Sequence, residues 1–136
     1  MRYILLVHHS EESWGRMSET EQNRLRTESV ALTHQINARG QYLDASPLQP
    51  SSVTTCVRVR EGKRIVIDGP FAETREQLGG YFLIDAKNLD EAIEIAGRIP
   101  GGRIGTVEIR PLFELPGLPT KEEVDAARGA KKIGVS

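Results

Sequence analysis

The run Asp68-Gly69-Pro70-Phe71 sets a carboxylate at the end of a β-rich stretch, directly ahead of a glycine and a proline that stop a strand. A carboxylate in that place, desolvated by Phe71, suits a general base or a hydrogen-bond acceptor. The same local chemistry lets an aspartate accept backbone amides and hold its own turn, and both readings stand. His8 closes an apolar run near the N-terminus. If that run is a central strand, its imidazole approaches the strand bearing Asp68, and a His8–Asp68 pair would suit proton transfer near neutral pH. Against this, a histidine at a strand end is commonly just solvated, and His9 points to the opposite face. Arg58 and Arg60 share one face of their strand and would hold an anionic substrate through guanidinium hydrogen bonds, or simply form the wet face of a hairpin. Tyr81 would orient a ligand, or serve as core. Asp68 and His8 are thus the catalytic candidates, with Arg58, Phe71 and Tyr81 as substrate-binding candidates.

Other chemistries find less support. His8, His9 and His34 with scattered carboxylates match no spacing that fixes a coordination sphere, so no metal is expected. Gly79-Gly80 and Gly101-Gly102 lack the spacing and lysine of a phosphate cradle, and no cofactor is expected. Cys56 reads as a small buried hydrophobe in mid-strand. As the sole cysteine it has no intrachain partner, which fits a reducing compartment, and the cytoplasm is the expected location. Eighteen Lys and Arg against 19 Asp and Glu leave a formal charge of −1, with no long block of one sign. That balance argues against a dedicated nucleic-acid or membrane-surface binder. The opening Met1–His9 is too short an apolar run for a membrane span.

The elements that must position these residues follow from periodicity. The 136 residues suit a single domain. Tyr3–His8 is apolar at almost every position, the pattern of a strand covered on both faces. Ser18-Glu19-Thr20-Glu21 has capping-box spacing, Leu25, Leu32 and Ile36 recur at helical intervals, and Gly40 supplies a left-handed end, which predicts a helix over 19–39. A short strand over 42–45 precedes Pro47 and Pro50. Alternation over 53–60, the turn at Glu61-Gly62-Lys63 and the run 64–68 predict a hairpin, followed by an irregular loop through Leu78. Tyr81–Ala86 reads as another two-faced strand. Asn88 caps a second helix with the stripe Ala92, Ile95, Ala96 and Ile99, stopped by Pro100-Gly101-Gly102, and Thr106–Pro111 is the last strand. The order β-α-β-hairpin-β-α-β predicts an α+β fold, a ferredoxin-like βαββαβ layer with an extra hairpin. Two helices cover one sheet face, so the other is expected to meet a second copy in a homodimer. Residues 1–115 form the expected domain, and 116–136 a tail that is either a peripheral helix from Thr120 or an unstructured end.

Asp68-Gly69-Pro70-Phe71-Ala72-Glu73-Thr74, with Glu76-Gln77-Leu78-Gly79-Gly80-Tyr81, closely resembles the signature of the DGPF branch of the YCII-related proteins. The resemblance extends to Leu48-Gln49-Pro50, Val57-Arg58-Val59-Arg60, Leu89-Asp90-Glu91-Ala92 and Val107-Glu108-Ile109-Arg110-Pro111, spanning residues 1–113. It implies a dimeric α/β barrel of two ferredoxin-like sheets packed face to face, and a small-molecule pocket between helix and sheet. Barrels of this kind include lyases, dehalogenases and monooxygenases, and fold alone does not choose among them. In the YciI branch a His at the start of the first helix and an Asp near its end have been proposed as an acid/base pair. The matching positions here are Ser29 and Ala38, a departure that puts that dyad in doubt. DGPF relatives are often encoded beside, or fused to, extracytoplasmic-function sigma factors, which implies a regulatory setting. The expectation is a cofactor-independent small-molecule enzyme doing proton transfer, lyase or hydrolase chemistry near Asp68. The alternative is a non-catalytic ligand-binding or regulatory module tied to transcription by a sigma factor. A third reading is a purely structural partner for another protein.

Overall fold

The computed structural model describes residues 1–132. Strand β1 (Arg2–His9) runs into a short helix α1 (Glu11–Arg16) and then the long helix α2 (Glu19–Ala38). Strand β2 (Tyr42–Pro47) and a single 3₁₀ turn (Ser51–Val53) lead to the hairpin β3 (Thr55–Arg60) and β4 (Lys63–Asp68). Strand β5 (Gln77–Asp85), helices α3 (Leu89–Gly97) and α4 (Gly101–Ile104), strand β6 (Gly105–Pro111) and helix α5 (Lys121–Lys132) complete the chain. The fold is α+β, with one antiparallel sheet in the order β2-β5-β1-β6 and a separate two-stranded sheet, β3-β4.

The helix limits follow the capping chemistry. Ser18 Oγ accepts from the Glu21 amide at 3.1 Å to start α2. At the other end Gly40, with φ of 72°, allows a Schellman closure: the Gln41 amide donates to Ile36 O and the Gly40 amide to Asn37 O. Asn88 caps α3 by accepting from the Glu91 amide. In the tail, Thr120 Oγ1 accepts from the Glu123 amide at the start of α5.

Several expectations shift. The strand placed at 53–60 starts at Thr55, because Pro50 is followed by the 3₁₀ turn. The irregular loop placed through Leu78 ends at Glu76, and β5 takes in Gly79-Gly80, since both neighbouring strands supply pairing partners there. Helices α1 and α4 were not foreseen. Ser10 caps the first through the Ser13 amide, and the second turns directly after Pro100, where a Cβ on Gly101 would collide with the Val7 side chain. The glycine lets α4 settle against β1.

The core is one cluster. Tyr3, Leu5 and Val7 of β1 and Phe82 and Ile84 of β5 pack under Leu32 and Ile36 of α2 and Ala92, Ile95, Ala96 and Ile99 in and after α3. Burying each fully enclosed aliphatic side chain, such as Leu5 or Ile36, stabilises the fold by about 1.5–3 kcal/mol. The opposite sheet face carries Ile4, Leu6, Tyr81 and Leu83, all half-buried. The expected two-sided strands therefore have one face closed by helices and one only partly closed within a single chain. The β3–β4 hairpin turns at Glu61-Gly62, both with positive φ as a tight two-residue turn requires. Among the described residues no helix is long and apolar enough to cross a membrane.

Candidate functional site

The side-chain parity of β1 decides what reaches the helix-covered end of the sheet. Tyr3, Leu5 and Val7 point to the helices, so His9 follows them and His8 faces the other way. Just before His9, which pairs with Gln77, the ladder is irregular: Val7 pairs with Gly80 and His8 with Leu78, leaving Gly79 as the extra residue of a β-bulge. The His9 imidazole lies against that bulge. A Cβ on Gly79 would collide with the ring at its Cε1 and Nδ1 atoms, so the glycine is what makes room for the histidine. On its other side the ring meets Trp14 of α1, with centroids 5.5 Å apart and planes tilted by 58°. Trp14 is fixed in turn by the Arg26 guanidinium of α2, 5.2 Å from its centroid, and by Gln22 Nε2 donating to its carbonyl at 2.8 Å.

Glu11, two residues on, joins three segments. Its carboxylate accepts from the Ser51 amide at 2.7 Å and from the Ser51 hydroxyl. Its own amide donates to Gln77 Oε1 at 2.9 Å, and Gln77 Nε2 donates to Thr74 O. The segment after the Asp-Gly-Pro-Phe turn is thereby tied to the start of α1. Between the two runs an open cleft of ≈ 570 Å³, lined by Ser10–Glu12 on one side and Thr74–Gln77 on the other.

Burial pushes the His9 pKa below its ordinary 6.5, with the Glu11 and Glu76 carboxylates opposing the shift. At neutral pH the imidazole is therefore uncharged and able to take up a proton. Hydrogen bonds from the Ser51 hydroxyl and amide hold the Glu11 carboxyl below its ordinary 4.5, with burial opposing and His9 adding to the fall. Glu11 is ionised at neutral pH, and its charge favours the imidazolium that proton uptake would create. The arrangement is a neutral imidazole with an ionised carboxylate nearby, and that carboxylate's residue, Glu11, lines the open cleft.

The model of the YCII-related domain matches residues 1–116. The chain belongs to the YCII-related domain family. It is also similar to an uncharacterised protein of Rhizobium meliloti (strain 1021), 34% identical over 114 residues that make up 82% of this chain and 92% of that protein.

In this YCII-related chain the residues expected to carry chemistry are spread over several elements. Asp68 ends β4 opposite Thr55 and is exposed, as is Phe71, so Phe71 does not desolvate it within the chain. The His8 ring bonds Glu108 Oε1 at 3.0 Å on the open sheet face, and among the described residues no hydrogen bond joins it to Asp68. Arg58 stands opposite Ile65 and Arg60 opposite Lys63, sharing a hairpin face as read from the alternation. Tyr81 donates to Asp44 Oδ2 at 2.7 Å on the open sheet face, and that carboxylate raises the phenol's pKa. Cys56 is half-buried, its thiol 3.4 Å from Gly69 O. Ser29, one of the positions matched to the YciI dyad, donates its hydroxyl to Leu25 O within α2, and Ala38 is the last residue of that helix.

His9, Glu11, Trp14, Ser51 and Gly79 were missed as a set. Two signals pointed to them: His9 shares parity with Leu5 and Val7, and a glycine pair inside a strand marks a bulge or a close approach. Among the described residues no group of three or more His, Cys, Asp or Glu side chains is placed to hold a metal ion.

Proposed function

We propose that the protein is a small-molecule enzyme needing no cofactor, in which His9 takes a proton from a ligand seated in the helix-side cleft and Glu11 stabilises the resulting imidazolium. The observation that carries this reading is the His9 ring itself: half-buried, uncharged at neutral pH, and set by a glycine bulge and a tryptophan beside an ionised carboxylate. Lyase and hydrolase steps that begin with proton abstraction fit it equally. A second reading, a ligand-binding or regulatory module linked to a sigma factor, is favoured by the positions of Ser29 and Ala38, which offer no acid/base pair where the YciI dyad is matched.

The wider architecture enters the same proposal. The order β6-β1-β5-β2, with α2 and α3 on one face, supports a ferredoxin-like βαββαβ layer. The half-buried open face of Ile4, Leu6 and Leu83 supports a homodimer through the sheet, as in a dimeric α/β barrel. In such a dimer the His8–Glu108 and Tyr81–Asp44 pairs would be enclosed, and Asp68 and His8 would find their roles there, with Arg58 and Phe71 reaching ligand from the hairpin side. A cytoplasmic setting suits the sole cysteine.

The test is a thermal-shift screen of wild type, His9→Gln and Asp68→Asn against a metabolite library, followed by assays for consumption of each hit. The proposal expects a compound that stabilises wild type and is consumed by it and by Asp68→Asn, but not by His9→Gln. Loss of consumption in Asp68→Asn with His9→Gln unaffected would return the chemistry to Asp68. Hits that bind all three proteins and survive unchanged would replace the enzyme with the binding module.

A further inference from the structure

The β3–β4 hairpin is physically anomalous. Direct cross-strand partners share a face, so Val57 and Val66 lie side by side with Val59 next to them, and Cys56, Arg58 and Arg60 stand on the reverse with Ile67, Ile65 and Lys63. Val57, Val59 and Val66 are 59%, 62% and 57% exposed. Among the described residues the hairpin's extensive contacts are between its own two strands, and neither strand packs closely on the four-stranded sheet or on a helix. A two-stranded ribbon with an uncovered valine face is marginal in water at best, and such an apolar patch marks an interaction surface.

We infer that this hairpin is an arm that closes over the open sheet face of a second copy of the chain. The inference rests on the homodimer proposed above and adds to it which element clasps the partner. Three observations choose the occupant. The open sheet face offers an apolar strip, Ile4, Leu6 and Leu83, of the kind a flat valine face would cover. Charge is complementary: Arg64, opposite Val59, is the basic residue on the valine face near the turn, whereas Asp44 and Glu108 flank the strip, with Arg110 at one end. Size agrees as well. A stable interface takes roughly 20–30 residues a side, of which residues 55–68 supply about half and the sheet face the remainder. The arm and the sheet thus complete one interface, and the valines gain the cover that the described residues of their own chain do not give them.

The test is sedimentation equilibrium of the full chain across a concentration series for wild type, Val57→Lys/Val66→Lys and the sheet-face variant Leu83→Arg. Because the valines are exposed, the paired lysines remove no core packing, and far-UV circular dichroism checks the fold. The expected result is a wild-type dimer whose dissociation constant rises about tenfold or more in the valine variant, the effect of losing one well-packed contact pair. A wild-type dimer that Leu83→Arg weakens but Val57→Lys/Val66→Lys leaves unchanged would overturn the arm and keep the sheet dimer. A wild-type monomer at the highest concentration would overturn both. Should the lysine variant fail to fold, amide exchange of wild type decides. Hairpin amides that slow with dimer formation support the arm, and equal exchange in dilute and concentrated samples overturns it.

Discussion

Replacing Gly79 by alanine would put a methyl group where the His9 imidazole lies, with Cε1 and Nδ1 the nearest atoms. The overlap is a full collision, and the two sides yield unequally. The backbone at Gly79 is held by the Leu48 amide, which donates to its carbonyl at 2.8 Å, and by the flanking pairs of β5 with β1. The ring is a side chain and can change rotamer, which the paired backbone cannot. The cost is therefore a displaced rotamer, a lost contact with Trp14 and the exposure of a half-buried ring, about 1–3 kcal/mol, the usual range for overfilling a packed site. Gly97→Ala is the control. It closes α3, has no atom within 4 Å of its would-be Cβ and has no positive φ, so the same substitution should stabilise by about 0.5–1 kcal/mol. Urea unfolding at unchanged m-value gives both differences. An NMR titration gives the second readout: freed from burial, His9 in Gly79→Ala should titrate closer to 6.5 than in wild type. A Gly79→Ala protein as stable as wild type, with His9 titrating where it did before, would show that the ring does not rest on the bulge and would remove the basis of the proposed base.

Two pH effects follow from the same groups. Since the folded His9 pKa lies below 6.5, the unfolded chain binds the proton first, so stability falls as pH drops from about 6.5 to the folded value and is level below it. His9→Gln should abolish that slope. Trp14 is the sole tryptophan, and its emission should change with His9 protonation in wild type and stay flat over the same range in His9→Gln. An unaltered emission titration in the variant would refute the stacking. For Glu11 the sign is the same and the cause differs, hydrogen bonds to the charged form in place of burial: its folded carboxyl lies below 4.5, so its contribution is present above about 4.5 and is lost as pH falls through the folded value. Ser51→Ala removes the hydroxyl donor, and its acid-unfolding midpoint should move to higher pH than wild type, a shift that Glu11→Gln should not add to.

Much of the scaffold was legible because its signals are local. Ser18 with Glu21, Gly40, Asn88 with Glu91, and Glu61-Gly62 each act over a few residues, and each sits where the capping and turn rules place it. The stripe Ala92, Ile95, Ala96 and Ile99 was likewise readable from one period. Helices α1 and α4 were not, since six and four residues are too few to show a period, and what stabilises them is distant. Trp14 rests on His9 and Arg26, and α4 rests on Val7 through a bare Gly101. The Asp-Gly-Pro-Phe turn drew attention to Asp68, yet the part of that segment that reaches the cleft is its far end, Thr74–Gln77.

Which histidine turns to the helix side was not legible for a deeper reason. Along Tyr-Ile-Leu-Leu-Val-His-His both parities are apolar, so nothing local says whether Leu5 or Leu6 turns to the helices. That choice is made by packing, where Leu5 and Val7 join Ile36 and Ile95 in one cluster, residues far apart in sequence. A slip of one residue in β1 would carry His8 to the helix side and turn His9 to the open face. The register is held at the other strand by the bulge: Gly79 takes up the extra residue just where the His9 ring needs the space, so the same glycine sets the pairing and admits the side chain. Which histidine turns to the helix side is thus specified by the core and one backbone irregularity, and a substitution such as Leu5→Ala should disturb the setting of His9 by loosening that register.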